Sequence, residues 1–272
     1  MSPASSYGVH EQDAAADALD FAAECIRRFG YAVVDGGWRS ADLERFSTAY
    51  DATAVAHATA SGGLSRLTTL NEHDTIRCPM FYDRTFLEVA CNPNVLELCR
   101  RLIGPFVVLN QQNGVTNPAN RRTYNQGAYH RDLPYQHFTS SRPLALNALL
   151  CLDPFTVENG ATWVIPASHL QEAYPSDAML APAGRAVPAP AGSFIVLDCM
   201  AYHRGGTNQT ALPRRAVNHI YAIPFLRQQI DLPKTLGPAF SHDPTVRRLL
   251  GYDTASAWSI SDFLASREPN QS

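Results

Sequence analysis

The stretch Ala191-Gly192-Ser193-Phe194-Ile195-Val196-Leu197-Asp198-Cys199-Met200-Ala201-Tyr202-His203-Arg204-Gly205-Gly206 carries the clearest architectural signal in the chain. A glycine turn opens it, an apolar, β-branched run follows, and a polar turn then delivers a histidine between that run and two glycines. This reads as a strand whose end presents His203 at the mouth of a β core. Similar short runs stand on either side, at Phe106 to Asn110, Leu144 to Leu152, Thr162 to Pro166 and Ala216 to Pro224. Turn clusters separate them: Asn117-Pro118, Asp153-Pro154 and Glu158-Asn159-Gly160. Many short strands with turn signals between them predict a β-sandwich or barrel.

Outside this region the character changes. Ala14 to Phe29 has apolar residues at helical spacing and closes on Gly30. A short strand, Tyr31 to Val34, ends at Asp35-Gly36-Gly37, and Ser40 is placed to cap a helix from Ala41 to about His57. Ser61 to Asp74 reads as a loop, and Phe86 to Ile103 as helix interrupted at Asn92-Pro93-Asn94. After Gln228 the chain returns to mixed helical pieces, including Thr245 to Leu250. The expectation is one domain over 1–272: a helical flank to about 104, a β core from about 105 to 228, and a helical segment from about 229.

Composition narrows the function. Apolar residues make up 45% and charged residues 17% of 272, with a formal net charge of -3. That is the profile of a globular protein, and it gives no reason to expect nucleic acid or an anionic membrane as partner. Lys234 is the one lysine among 22 basic residues, so it is also the one candidate for Schiff-base chemistry. Six cysteines without C-x-x-C spacing read as reduced thiols, and Met1 to Asp20 lacks a signal-peptide pattern. Both point to a cytoplasmic setting. Nothing approaches the length of a membrane span. Oligomeric state is not encoded in any pattern read here.

His130-Arg131-Asp132 supplies a second histidine and a carboxylate ahead of an expected strand. On extended backbone residues 130 and 132 share a face, and with His203 they would make the two-His, one-carboxylate triad that leaves iron positions open. A bare H-x-D match is expected by chance roughly once in two chains of this size, so its surroundings must carry the case. Arg214 strengthens it: an arginine soon after His203, heading the next apolar strand, can hold a carboxylate bidentately. The tetrapeptide His130-Arg131-Asp132-Leu133 also copies the start of a protein-kinase catalytic loop. His137 stands where that loop needs Asn, and no Gly-rich phosphate loop or D-F-G accompanies it.

Taken together, these features resemble the phytanoyl-CoA dioxygenase family of iron(II)/2-oxoglutarate oxygenases. The resemblance runs from Gly30-Tyr31-Ala32-Val33-Val34-Asp35 through Arg101-Leu102-Ile103-Gly104 and His130-Arg131-Asp132. It continues in Glu158-Asn159-Gly160-Ala161-Thr162-Trp163-Val164-Ile165-Pro166-Ala167-Ser168-His169 and ends with His203, Asn208 and Arg214-Arg215. It implies a double-stranded β-helix (jelly-roll, cupin-like) core. It also implies His130, Asp132 and His203 as iron ligands and catalytic centre, with Arg214 on the distal carboxylate of 2-oxoglutarate. Asn147 and Gln111 occupy strand positions that in the family lie near cosubstrate or substrate, and Arg215 should face away. Ala167 and Gly205 depart from the family's usual glycine and serine.

The reaction expected from the resemblance is hydroxylation of an unactivated C–H bond in a small metabolite or natural-product intermediate. Dioxygen and 2-oxoglutarate are consumed, and succinate and carbon dioxide are released. The presence of Asp132 removes the halide position of related halogenases. Two alternatives stand beside this: a jelly-roll small-molecule binding protein, and a cupin-type metal dioxygenase that does not use 2-oxoglutarate. His137, His169 and His219 are expected to be structural. Trp163, Tyr129 and Tyr135 are candidates for either core or pocket.

Overall fold

Period-two alternation in the central strands sets the architecture. In the computed structural model, which describes residues 16–120 and 125–268, nine strands are formed: β1 (Tyr31–Asp35), β2 (Thr75–Arg77), β3 (Val108–Asn117), β4 (Ala145–Cys151), β5 (Thr162–Val164), β6 (Arg185–Val187), β7 (Ser193–Asp198), β8 (His203–Arg204) and β9 (Arg214–Ala222). They make a six-stranded sheet in the order β1-β7-β4-β9-β3-β2 and a three-stranded sheet in the order β6-β5-β8. Every pairing is antiparallel, and among the described residues the sheets do not close into a barrel.

The register of the large sheet sorts its side chains. Asn147 lies opposite Leu197 and Ile220, and Leu149 opposite Ile195 and Asn218. These residues face the small sheet, where Ile195, Leu197 and Ala216 pack with Phe155, Val164 and Val187. The alternate residues Leu146, Ala148, Leu150, Val196, Val217 and Tyr221 face the helical side and join Phe46, Met80, Phe86 and Leu98. Burying each such side chain contributes about 1.5–3 kcal/mol, so both faces hold the register. The large sheet is thus a partition, with helices behind it and a pocket in front.

The flanking helices follow the expected scheme with adjustments. The first spans Ala18–Phe29 and is capped by the Asp17 carboxylate, which accepts from the Asp20 amide at 2.7 Å. The expected start at Ala14, and the Met1 to Asp20 reading as far as Ala15, lie outside the described residues. Ser40 is the first helical residue of Ser40–Ala60 and not its cap; Arg39 takes that position, and Asp42 reaches back to the Arg39 amide. The interruption at Asn92 is as expected, with Asn92 capping Pro93–Leu102.

Three expectations are corrected. The Ser61 to Asp74 stretch is not all loop: it contains the helix Leu64–Thr69, anchored by buried Leu67. β3 runs to Asn117, well past Asn110, because its polar residues find partners inside. Gln112 donates to Phe86 O at 2.7 Å and accepts from the Met80 amide at 3.0 Å. No strand begins directly after His130-Arg131-Asp132; residues 131–143 form bends and irregular backbone, and the next strand is β4. β1 and β2, from the expected helical flank, also complete the edges of the large sheet.

Candidate metal centre

β8 delivers His203 to the edge of the small sheet, where Val164 of β5 is its neighbour on one side. On the other side the main chain of His130 bridges to it, His130 N to His203 O at 2.9 Å and His203 N to His130 O at 3.0 Å. The two imidazoles therefore lie side by side, with ring centroids 4.5 Å apart. Asp132 follows on the same extended segment, its amide donating to Cys199 O. Asp132 Oδ1 stands 3.8 Å from His130 Nε2 and 3.7 Å from His203 Nε2. One donor atom from each residue lies within 4.8 Å of the others, a group that could hold a metal ion.

Local hydrogen bonds orient each of the three. His130 Nδ1 lies 2.9 Å from Ala128 O, and His203 Nδ1 lies 2.9 Å from Ala201 O. With a proton on each Nδ1, both Nε2 lone pairs turn to the centre, the arrangement in which imidazoles ligate metals. Burial holds the basicity of His203 below the usual histidine range, against the opposing pull of Asp132. Asn147 Nδ2 donates to Asp132 Oδ2 at 2.8 Å, which leaves Oδ1 to the histidines.

Arg131 turns to the opposite side and is only 2% exposed. Its guanidinium donates to the carbonyls of Gln136, Ser168, Gln171 and Glu172. It thereby staples the segment after Asp132 to the turn after β5. Two glycines make the close packing behind His203 possible. A Cβ on Gly160 would lie 2.5 Å from Gly206 O, and one on Gly206 would lie 2.6 Å from Ala161 O.

The pocket in front of the triad is lined on the large-sheet side by Asn147, Leu149, Leu197, Arg214, Ala216 and Asn218. Arg214 is 4% exposed, and its guanidinium lies 3.7 Å from the Phe155 ring centroid. Arg215 points away and pairs with Asp153 and Asp51. Gln111 shares the cross-strand row of Asn147 and Ile220 but does not line the pocket; its amide reaches Asn218 at 3.5 Å. His169 and His219 bond main-chain carbonyls, and His137 packs edge-on against Tyr174. Tyr129 and Trp163 flank Arg204 in a neighbouring cavity, while Tyr135 is exposed.

Sequence reasoning missed Arg131, Asn218 and Arg204, and also Thr162, which lines the pocket from β5. Asn218 was accessible from the alternation that starts at Arg214. The carbonyls that hold Arg131 come from a distant turn, and no local pattern announces them.

The sequence profile described as phytanoyl-CoA dioxygenase (PhyH) matches residues 26–216. The chain belongs to the phytanoyl-CoA dioxygenase family. Membership makes it an enzyme of the oxygenase class that depends on iron and 2-oxoglutarate. An uncharacterized protein of Mycobacterium tuberculosis, Rv1501, is 32% identical over 210 residues, 74% of this chain and 75% of that protein. The iron/alpha-ketoglutarate-dependent dioxygenase penM of Penicillium thymicola is 31% identical over 147 residues, 50% of this chain and 44% of that one. Among solved structures, EctD from S. alaskensis with 2-oxoglutarate and 5-hydroxyectoine superposes with a TM-score of 0.62 at 21% identity, covering 82% of each chain. This likeness places the two facing sheets of the phytanoyl-CoA dioxygenase relative described here in the jelly-roll fold. No helix among its described residues is long and apolar enough to cross a membrane.

Proposed function

We propose that His130, Asp132 and His203 hold iron(II), that Arg214 binds the distal carboxylate of 2-oxoglutarate, and that the enzyme hydroxylates an unactivated C–H bond of a small metabolite or natural-product intermediate. The observation that carries this reading is the convergence of the three donor atoms within 4.8 Å, with Arg214 lining the same pocket. The donor set fits the group: two neutral imidazole nitrogens and one carboxylate oxygen suit iron(II) and leave room for other ligands.

Iron with 2-oxoglutarate and dioxygen supplies a two-electron oxidation of a C–H bond to an alcohol, with succinate and carbon dioxide as by-products. The chain's own contribution is placement. The main-chain bridge between His130 and His203 fixes both imidazoles, and Asn147 holds the carboxylate of Asp132 against rotation. Arg214 offers a rigid, always-charged fork from a buried position, so it orients a dicarboxylate with little loss of freedom on binding. Leu149, Leu197 and Ala216 keep that side of the pocket dry. The substrate's place is the side bounded by Arg204, beside Tyr129 and Trp163. A single oxygenase domain over 1–272 and a cytoplasmic setting belong to the same proposal, in keeping with six unpaired cysteines.

The test is anaerobic. Addition of iron(II) and then 2-oxoglutarate to the full chain should raise a weak visible charge-transfer band. His130→Ala should abolish it and Arg214→Ala should weaken it. A folded, metal-loaded protein with no band would overturn the assignment in favour of a jelly-roll binding protein. Turnover that survives Arg214→Ala would instead favour a metal dioxygenase that does not use 2-oxoglutarate.

A further inference from the structure

The helix Ser40–Ala60 buries Phe46, Tyr50, Thr53 and His57 along one stripe, at helical spacing. Three of these fill the core or its edge as expected. His57 does not fit that role. It is 5% exposed, and among the described residues its ring nitrogens make no hydrogen bond yet are not fully enclosed; its aromatic neighbour is Tyr82, edge-on at 5.8 Å. A polar edge on an otherwise buried side chain, left without a protein partner, is free to meet solvent or a ligand. His219 is the contrast within the same chain: it is fully buried, and its two nitrogens meet Gln112 Nε2 at 2.9 Å and Ala148 O at 3.1 Å.

His57 opens onto a cavity of about 390 Å³ that shares no residue with the metal pocket. Its walls are largely apolar: Leu67, Leu70, Phe81, Tyr82 and Ile230. The size falls in the range of small-molecule sites, and apolar walls with a few convergent polar groups are the usual composition of such sites. The charged residues at the rim leave one positive charge in excess. Arg77 is engaged by both carboxylate oxygens of Glu72 and by Gln229. Arg66 donates to Ser61 O at 2.8 Å and has no acidic partner among the described residues. Burial holds His57 below the usual histidine range, with Glu72 opposing and Arg77 reinforcing the shift, so near neutrality it offers an N–H without a charge.

We propose that this cavity is a second ligand site, which takes a small apolar or aromatic monocarboxylate whose carboxylate is held by His57 and Arg66. The apolar body would lie against Leu70, Phe81 and Ile230, and the anion would take the place of solvent at the open edge of the His57 imidazole. A neutral molecule of the same shape would leave Arg66 without a counter-charge.

The experiment uses the full chain with isotope-labelled histidine, titrated with benzoate, phenylacetate and octanoate, and with benzamide and phenylacetamide as neutral controls. At least one carboxylate should shift the His57 imidazole resonances saturably. The amides should act about tenfold more weakly or not at all, and Arg66→Ala, an exposed position, should weaken the carboxylate by about tenfold or more. His57→Phe should abolish binding, and His130→Ala should leave it within about twofold. Lack of any shift at His57 up to about 10 mM carboxylate would overturn the site. An equal response to the amides would overturn the carboxylate assignment. Loss of binding in His130→Ala would move the ligand to the metal pocket.

Discussion

His130 and His203 exchange main-chain hydrogen bonds in both directions, at 2.9 and 3.0 Å. Two residues from distant parts of the sequence are thus cross-strand neighbours, and the position of one imidazole is set by the other. Asp132 joins them from the same segment as His130, so the three donors depend on a single junction between one extended segment and β8. Changes near that junction should act on all three donors together.

Asn147 is the first such position. Its amide holds the outer oxygen of Asp132 at 2.8 Å. Asn147→Ala should leave the fold intact and lower iron(II) affinity by about 10- to 100-fold, as is usual when a hydrogen-bond partner of a metal ligand is lost. Anaerobic competition with a chelator measures this. Affinity within twofold of the wild type would show that Asp132 is held by other means.

Arg131 tests the staple. Arg131→Met keeps much of the side-chain volume but leaves carbonyls of Gln136, Ser168, Gln171 and Glu172 without their donor. The expected loss is about 3 kcal/mol or more of unfolding free energy, with weaker iron binding from a loosened Asp132. Urea denaturation and the chelator competition give the two readouts. Loss of stability with iron affinity unchanged would confine Arg131 to folding.

Acid sensitivity should follow from His219. Burial lowers its pKa from the ordinary 6.5 to about 4. Between those values the unfolded chain binds the proton and the folded chain does not. Stability from this source is therefore complete above about 6.5 and declines as pH falls toward 4, by up to about 3 kcal/mol. Urea midpoints across this range should fall with pH in the wild type. His219→Gln, which cannot take up that proton, should show a shallower slope whatever its absolute stability.

Ala167 carries the fourth prediction. It is a non-glycine residue in the left-handed region, with φ 62, at the turn before Ser168–Leu170. An L-residue there costs about 1–2 kcal/mol, while glycine costs up to about 1 kcal/mol through the unfolded chain. Ala167→Gly should be neutral to stabilising by about 1 kcal/mol, seen as a Tm rise of up to a few degrees. A fall in Tm would show that the methyl group packs to advantage.

Much of this was legible in the sequence, because the relevant signals are local. Strand alternation, the glycine turns and the His130, Asp132, His203 and Arg214 spacing each report on a few neighbouring residues. Other features depended on partners far along the chain. The strand read from Phe106 to Asn110, with Gln111 placed on it by the family resemblance, continues to Asn117, where Gln112 bonds Phe86 and Met80 on the way. The strand expected after Asp132 begins only at Ala145, beyond irregular backbone that Arg131 ties to Gln171 and Glu172. Gln111 has the orientation that its strand position implied, but its reach ends at Asn218. Side-chain length and intervening neighbours decide such contacts, and neither is written in a spacing.

The partition made by the large sheet has a consequence for how this enzyme can change over time. Along β4 and β9 the residues that line the pocket in front of the triad alternate, one for one, with residues that secure the helices. Substitutions at 149, 216 or 218 can reshape the wall of that pocket while 148, 150, 217 and 219 continue to hold the helical side of the sheet. The wall of the pocket and the anchorage of the helices thus fall to interleaved positions on the same two strands, so a change to one need not disturb the other directly.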